Sequence, residues 1–274
     1  GPDDFNLCLK HGIKSLDTID DDGRYTKHIK KFEGIHIFKA DQIVIENLKE
    51  CKKLLVNGKL THSYPHSWRS KAPLVHRATS QWFISMEKNN LRKKALKAID
   101  DTDFYPERGR DRIRSMIETR PDWCISRQRI WGVPLPLFVS KKTKEPLKDP
   151  EVIENIARIF EKEGADCWFT DDPQKFLGKK YKKEDYIKSN DIVEVWFDSG
   201  ATHSYVLEKR KDLTWPASMY LEGSDQHRGW FHSSLLESCG TRGKAPFKSI
   251  LTHGFVVDGK GLKMSKSTGN IIAP

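Results

Sequence analysis

Residues 219–252 decide the fold, and they read MYLEGSDQHRGWFHSSLLESCGTRGKAPFKSILT. The apolar run 219–221 predicts a short strand, residues 225–239 predict a helix, and residues 249–252 predict the next strand. A strand, a helix and a strand joined by short links form a βαβ unit, whose two strands lie parallel. The fold class that we expect is therefore α/β.

The predicted helix has recognisable ends and a recognisable buried face. Ser224 is a suitable N-cap, and Gly240 is suited to end the helix. Phe231 and Leu235 form an i,i+4 pair on the face turned towards the sheet, and Leu236 and Cys239 extend that face. This pattern predicts that the helix packs directly on the two strands.

Polar side chains follow both predicted strands. Glu222, Asp225 and Gln226 come after the first strand, and His253 comes after the second. In open α/β sheets, ligands bind beyond the carboxyl ends of the strands. A carboxylate there can accept hydrogen bonds from a ribose or an ammonium group. Residues such as Ser224 and Asp225 are also ordinary first-turn residues of a helix, and spacing alone does not decide between the two interpretations.

The sequence before this unit contains both strand-like and helix-like patterns. Residues 192–197 (IVEVWF) and 81–86 (QWFISM) predict strands, the latter buried. Apolar spacing predicts helices over 41–55, 91–99 and 113–117.

Two further segments are polar. Residues 62–73 contain Pro65 and Pro73, which predicts a loop or short hairpin. Residues 141–190 are dense in Lys, Glu and Asp, with one helix expected at 151–162. We expect this second segment to be an insertion or connecting module on the surface.

The segment Gly259-Lys260-Gly261-Leu262-Lys263-Met264-Ser265-Lys266-Ser267-Thr268-Gly269-Asn270, here called the lysine loop, carries the clearest chemistry. Three glycines allow a loop to open and close. Lysine acts as a point charge on phosphate oxygens, and such a charge matters most as pyrophosphate develops in a transition state. The pattern predicts a mobile loop that brings Lys263 and Lys266 to a polyphosphate.

Composition sets outer limits on the function. The formal net charge is +10, which fits a polyanion such as RNA, although a lysine-rich surface without such a partner explains it equally well. Eight Trp and 13 Phe argue against a disordered chain. Five cysteines without zinc-knuckle spacing indicate free thiols in a reducing compartment, and we expect neither a metal site nor zinc in this chain. No apolar run approaches the length of a membrane span.

Two motifs carry a resemblance to a known family. Lys263-Met264-Ser265-Lys266-Ser267 matches the second signature of class I aminoacyl-tRNA synthetases. The string from Tyr220 to Phe231, YLEGSDQHRGWF, closely resembles isoleucyl-tRNA synthetases, whereas valyl and leucyl relatives differ there.

Four other stretches agree with this resemblance. Residues 120–132 resemble the segment that returns to the catalytic domain after the editing insertion, with a core shared by valyl enzymes. Residues 195–200 (VWFDSG) match the isoleucyl pattern. Residues 62–69 resemble the segment in which the family's chain returns from the editing domain to the catalytic domain. Residues 1–5 (GPDDF) resemble the end of an editing motif. A surface turn remains the alternative for this last stretch, because the preceding half of the motif is absent.

The resemblance implies roles for individual residues. Lys266 and Lys263 would stabilise the ATP phosphates, and Glu222 with Gly223 would hold the aminoacyl-adenylate. The amino-acid side would be lined by Asp225, Gln226 and Trp196, where Trp196 alone is equally well explained as a core aromatic on a strand. His253 and Gly254 would border the adenine and ribose. Asp4 would contact the ammonium group of a misattached amino acid in editing.

The resemblance also implies an organisation: the second half of a Rossmann-like class I catalytic domain with the C-terminal tail of an editing domain. The expected segments are 1–58 (editing tail), 59–140 (return into the catalytic domain), 141–190 (connecting insertion) and 191–274 (second half of the catalytic domain). The first signature, of the His-x-Gly-His type, has no counterpart, so we expect an internal fragment of a longer enzyme that is inactive alone.

The activity implied is ligation of isoleucine to tRNA(Ile) with ATP and Mg²⁺, together with hydrolytic editing of misattached valine. The enzyme would be cytoplasmic and monomeric, with no membrane partner. Two alternatives stay open: a valyl-tRNA synthetase, which the string 220–231 argues against, and a non-catalytic RNA-binding module derived from such an enzyme.

Overall fold

A computed structural model describes residues 2–14, 16–67, 70–129 and 131–272. The chain divides into two compact units, Gly1–Ser80 and Gln81–Pro274. Three of the stretches that resemble the family, 1–5, 62–69 and 120–132, each contain residues outside the described ranges. No described helix is long and apolar enough to cross a lipid bilayer.

The described residues of the first unit form two α-helices, α1 (Pro2–Lys10) and α2 (Ala40–Glu50), with short 3-10 turns at Lys27–Ile29 and Ile37–Lys39. The predicted helix 41–55 therefore ends five residues early. Lys52 adopts a positive φ of 54°, a left-handed conformation that no helix continues through. Of the predicted alternatives for 62–73, a loop or a short hairpin, the described residues show hairpin pairing: His66 forms a bridge with Pro73, and the Leu74 N–H donates to the Pro65 carbonyl (3.0 Å).

The second unit is built from nine strands and seven helices among its described residues. The strands are β1 (Phe83–Ile84), β2 (Asp103–Tyr105), β3 (Trp123–Cys124), β4 (Ser126–Arg127), β5 (Phe138–Ser140), β6 (Tyr186–Lys188), β7 (Ile192–Val193), β8 (Ala217–Gly223) and β9 (Phe247–His253). The helices are α3 (Leu91–Asp100), α4 (Gly109–Glu118), α5 (Pro150–Glu163), α6 (Cys167–Thr170), α7 (Pro173–Leu177), α8 (Val195–Gly200) and α9 (Trp230–Thr241).

A three-stranded parallel sheet of order β2-β9-β8 is the centre of this unit. Helix α9 connects β8 to β9, so the predicted βαβ unit and the α/β class are confirmed. Strand β2 was not predicted, because its three residues are too few to show a pattern. The remaining strand pairs are antiparallel: β1 with β3, β4 with β7, and β5 with β6.

The main hydrophobic core lies between this sheet and helices α3, α4 and α9. Phe231 and Leu235 are both 0% exposed and Ile250 is 1% exposed, which confirms the predicted buried face of α9. Full burial of such a side chain stabilises the fold by roughly 1.5–3 kcal/mol. The helices predicted over 91–99 and 113–117 are confirmed as α3 and α4, although α4 begins four residues earlier.

A second, smaller core lies, except for Phe138 on β5, inside the segment predicted to be a surface insertion. It is formed by Phe138, Val152, Ile156, Cys167, Trp168, Phe176 and Leu177. The expected helix is present as α5, capped by Asp149, whose carboxylate accepts from the Glu151 N–H (2.9 Å). The segment is thus a packed module with its own core as well as a charged surface.

Two predicted strands differ from the structure. Only Phe83 and Ile84 of the 81–86 stretch form a strand, although Met86 is fully buried. The 192–197 stretch is a strand only at Ile192–Val193 and then becomes α8. The reason is a helix cap: the Glu194 carboxylate accepts from the Trp196 N–H (3.3 Å) and starts the helix there.

Candidate functional site at the strand ends

The parallel register of β8 and β9 brings the predicted polar residues to one edge of the sheet. Glu222 pairs with Thr252, and Gly223 pairs with His253. Glu222 and His253 are both exposed, so their side chains are accessible to a ligand at this edge. The prediction that these groups share the carboxyl end of the sheet is confirmed.

A buried tyrosine fixes the strand beneath this edge. Tyr220 is 5% exposed, and its ring centre lies 4.4 Å from that of Trp230 and 4.9 Å from that of Phe247. Its hydroxyl hydrogen-bonds with the Ser234 hydroxyl (3.1 Å). Packing and this hydrogen bond join strand β8 to helix α9 at Tyr220. Glu222 is two residues further along the same strand, so the position of its backbone is fixed.

Asp225 and Gln226 lie in a 3-10 turn, Ser224–His227, and not in the first turn of α9. The prediction that Ser224 is the N-cap is wrong: Gly229 is the N-cap of α9, and the Ser224 side chain makes no capping bond. The Gln226 side-chain oxygen accepts from the Trp230 N–H (3.4 Å) and so takes part in starting the helix. The helix also continues one residue past Gly240, to Thr241.

Two glycines allow the close approaches that the turn requires. A Cβ at Gly223 would lie 2.6 Å from the Asp225 carboxylate, and a Cβ at Gly229 would overlap the Gln226 amide oxygen. The same Cβ at Gly229 would lie 3.2 Å from the Trp196 ring. Gln226, Trp196 and Gly229 are therefore neighbours, whereas Asp225 lies on the Gly223 side of the turn.

Trp196 belongs to α8, so the alternative of a core aromatic on a strand is wrong. Its side chain is 40% exposed and can present its ring to a ligand. Glu194, the cap of α8, is 6% exposed and also accepts from the Trp123 indole N–H (2.9 Å). Sequence reasoning missed this supporting carboxylate, and nothing in the local pattern indicates its long-range partner.

His253 and Gly254 form the end of β9 and lead into the lysine loop. The His253 Nδ1–H donates to the Gly254 carbonyl (2.6 Å). Both residues line a cavity of about 380 Å³ together with the start of α4 and the turn that contains His227.

Asp258 organises the lysine loop. Its Oδ1 accepts from the N–H groups of Lys260 (2.9 Å) and Leu262 (3.0 Å), and its Oδ2 accepts from the Asn270 amide (2.8 Å). These bonds hold the pKa of Asp258 below its ordinary value; the Asn270 bond is the largest cause. Asn270 also donates to the Lys263 carbonyl (3.2 Å) and accepts from the Ser265 N–H (3.0 Å). The two ends of the loop are therefore joined through one carboxylate.

Two of the three lysines of the loop, Lys263 and Lys266, differ in their surroundings. The Lys263 ammonium lies 3.7 Å from the centre of the Phe255 ring, a cation–π contact. Lys266 is exposed and has no hydrogen bond or ion pair with any residue in the described parts of the chain. Lys266 is thus the more available charge for an incoming anion.

Asp4 lies in α1, in the first unit, and is exposed, whereas every other predicted site residue belongs to the second unit. Among the described residues, no group of three or more His, Cys, Asp or Glu side chains could hold a metal ion.

Fold and site together define an α/β protein with polar side chains at the carboxyl ends of parallel strands, followed in the chain by a lysine-bearing loop. Comparison with known proteins gives the family. Residues 15–274 match the family described as tRNA synthetases class I (I, L, M and V). The chain belongs to this family.

Curated relatives carry one common name. "Isoleucine--tRNA ligase" of Pelagibacter ubique (strain HTCC1062) is 77% identical over 274 residues, which cover 100% of this chain and 30% of the relative. The proteins of that name from Gluconobacter oxydans (strain 621H) and Zymomonas mobilis are 51% and 52% identical, again over 100% of this chain and over 30% and 31% of their own lengths. The chain thus spans about a third of the length of these relatives.

Among solved structures, Mycobacterium tuberculosis methionyl-tRNA synthetase bound by methionyl-adenylate aligns with a TM-score of 0.44 at 19% identity. The alignment covers 78% of this chain and 33% of that one.

Proposed function

We propose that the protein containing this chain is an isoleucine–tRNA ligase. In the first step an isoleucine carboxylate oxygen attacks the α-phosphorus of ATP, and pyrophosphate leaves as isoleucyl-adenylate forms. In the second, the terminal ribose hydroxyl of tRNA(Ile) attacks the acyl carbonyl, and AMP leaves. The observation that carries the proposal is that relatives 50–77% identical across the whole chain share this name.

The geometry supports a division of roles along the sheet edge. Glu222 and Gly223 would hold the adenylate, and Asp225, Gln226 and Trp196 would line the isoleucine side. His253 and Gly254, at the end of β9, would border the adenine and ribose. Such a site works mainly by positioning the reactants and stabilising charge, because the side chains form no covalent bond with them.

Lys263 and Lys266 would stabilise the phosphates as pyrophosphate develops. Mg²⁺ would enter as a counter-ion of the triphosphate and reduce its charge. The availability of Lys266 supports this role, because an ammonium already paired within the protein would have to break that pair first.

Asp4 would serve a separate, hydrolytic site. A hydrophobic pocket separates isoleucine from valine by only about 1–3 kcal/mol, since the two differ by one methylene. A carboxylate that pairs with the ammonium of misattached valine would correct the remaining errors. The test is the rate at which a full-length Asp4→Ala variant deacylates valyl-tRNA. A rate equal to that of wild type would show that Asp4 is a surface residue of α1 with no role in editing.

We further propose that the segments 1–58, 59–140, 141–190 and 191–274 are the editing tail, the return segment, the connecting module and the second half of the catalytic domain. The whole enzyme would act as a monomer in the cytoplasm, where its RNA substrate is found.

The experiment is amino-acid-dependent ATP–pyrophosphate exchange by the full-length protein that contains this sequence. Exchange should be fastest with isoleucine, slower with valine and absent without an amino acid. Faster exchange with valine would instead support a valyl-tRNA synthetase. RNA binding without exchange for any amino acid would support a non-catalytic module. The 274-residue chain alone should give no exchange.

A further inference from the structure

Helix α4 and the residue before it carry four arginines, of which two have a clear structural use. The Arg110 guanidinium donates to the Thr102 carbonyl (3.1 Å) and lies 5.7 Å from the centre of the Phe104 ring. Arg114 pairs with Asp100 (2.5 Å) and Glu118 (3.1 Å). These two arginines attach the helix to its surroundings.

Arg108 and Arg112 have no such use. Both are exposed, and neither side chain forms a hydrogen bond or ion pair with any residue that the structure describes. They lie four residues apart at the start of α4. Like charges at this spacing repel each other, and the positive end of a helix disfavours them further. This arrangement costs stability, and neither side chain gains a contact from it. It therefore indicates that the two arginines bind an external anion.

The cavity of about 380 Å³ at the sheet edge lies beside these arginines. Besides Arg108 and Arg112, its lining includes Gly109, His227, Thr252 and His253. Because β2 is parallel to β9, with Tyr105 opposite Leu251, the start of α4 follows the same edge of the sheet as the end of β9. The sheet order places β2 and β8 on opposite sides of β9, so the arginines and Glu222 flank the end of β9 from opposite sides.

His227 lies in the wall of the same cavity. It is 1% exposed, and its Nδ1–H donates to the Ser224 carbonyl (2.9 Å), so Nε2 carries a lone pair. That Nε2 makes no hydrogen bond with any described residue, and a Cβ at Gly109 would lie 3.1 Å from it. Burial is the largest cause of the lowered pKa of His227, the bond to the Ser224 carbonyl opposes it, and the charge of Arg112 lowers the pKa further. Arg112 and Arg108 bring two positive charges to the lining of the cavity.

We propose that Arg108 and Arg112 bind a backbone phosphate of the RNA strand whose terminal ribose reacts at the neighbouring strand ends. This proposal rests on the proposed function. The triphosphate of ATP already has Lys263 and Lys266 as partners, so the remaining polyanion of the reaction is the RNA. Guanidinium groups bind phosphate oxygens in pairs, and phosphate contacts fix the position of a strand without reading its sequence. Anchoring the strand here would hold its last ribose at the end of β9.

The test is equilibrium binding of tRNA(Ile) to the full-length enzyme at several KCl concentrations. Arg112→Gln should weaken binding about tenfold, because a charge-assisted hydrogen bond is lost. The slope of log K against log[KCl] should become shallower by about 0.7 for each lost contact with a single strand. Arg108→Gln should act in the same direction, and Arg112→Lys should keep most of the slope because it keeps the charge.

Arg114→Gln is the matched control, since Arg114 is on the same helix but paired with acids; it should leave the slope unchanged. An unchanged slope in both Arg108→Gln and Arg112→Gln would overturn the proposal. So would a loss confined to ATP–pyrophosphate exchange without RNA, which would assign the pair to ATP phosphates. Failure of the wild-type enzyme to give isoleucine-dependent exchange would instead refute the proposed function, while the binding measurements would still decide the role of the arginines.

Discussion

The strand ends and the lysine loop hold their polar groups in opposite ways. Glu222 and His253 extend from strands whose neighbouring residues, such as Tyr220 and Ile250, are buried in the main core. Most of the lysine loop is exposed, and the loop is held by hydrogen bonds that converge on Asp258 and Asn270. Burial gives a fixed position, whereas a few exposed hydrogen bonds leave low barriers to local opening. The strand ends are therefore fixed in position, whereas the loop can open locally.

The largest expected effect tests the charge of the loop. On the proposed function, Lys266→Ala in the full-length protein should slow adenylate formation by about 10²–10³, by analogy with the loss of a donor that stabilises transition-state charge. The KM for isoleucine should change much less, and the measurement is isoleucine-dependent pyrophosphate exchange.

Lys260→Ala is the control for this variant, because Lys260 is in the same loop and only its backbone N–H is used in the structure. It should retain most of the exchange rate. An unchanged kcat with a raised KM for isoleucine in Lys266→Ala would show that Lys266 does not stabilise the phosphates in the transition state.

The next effect tests how the loop is held. Asp258→Ala removes the acceptor for two backbone N–H groups and for Asn270, so the loop should populate open states and the exchange rate should fall by about tenfold, as for one lost charge-assisted hydrogen bond. Asn270→Ala should give a similar loss. Because the two side chains act through one hydrogen-bonded network, the double variant should lose little more than either single one. Multiplicative losses would show that the two residues act independently.

The last effect concerns the buried side of the comparison and is measured as stability, not as a reaction rate. Burial raises the pKa of Glu237, on α9, to about 9, and Asp198 and Glu194 add to the effect while Arg242 opposes it. The folded state therefore keeps a proton that the unfolded chain, with its ordinary value of 4.5, releases. Stability should fall as pH rises from about 4.5 to about 9.

Glu237→Gln keeps the shape of the side chain without the titration, so its melting temperature should exceed that of wild type at pH 8, and the gain should shrink towards pH 5. Thermal unfolding of the full-length protein at several pH values measures this. The same gain at every pH would mean that the carboxyl group is charged in the folded state.

Much of the strand-end site could be predicted from sequence, because the βαβ pattern places Glu222, Asp225, Gln226 and His253 without any long-range knowledge. Ser224 and Trp196 were placed in the wrong kind of element for a local reason. Ser224 is a good capping residue and Val-Trp-Phe favours a strand, yet the 3-10 turn and the Glu194 cap override those preferences.

The support of the lysine loop could not be predicted from the same residues. The glycines and lysines indicate a mobile loop, but the bonds of Asp258 to Asn270 connect positions 12 residues apart and depend on how the chain folds back. Likewise, the arginines of α4 look alike in sequence, and only the structure separates Arg110 and Arg114, which hold the helix, from Arg108 and Arg112.

The pairing of β5 with β6 has a consequence for how this protein can vary. Ser140 lies opposite Tyr186, so the chain leaves and rejoins the body of the second unit at adjacent points. The intervening residues fold around a core of their own. Since the entropy of closing a loop grows only slowly with its length, this segment can be lengthened, shortened or exchanged at little energetic cost to the parallel sheet. It is the natural place to graft a fluorescent reporter or an affinity tag without disturbing the strand ends.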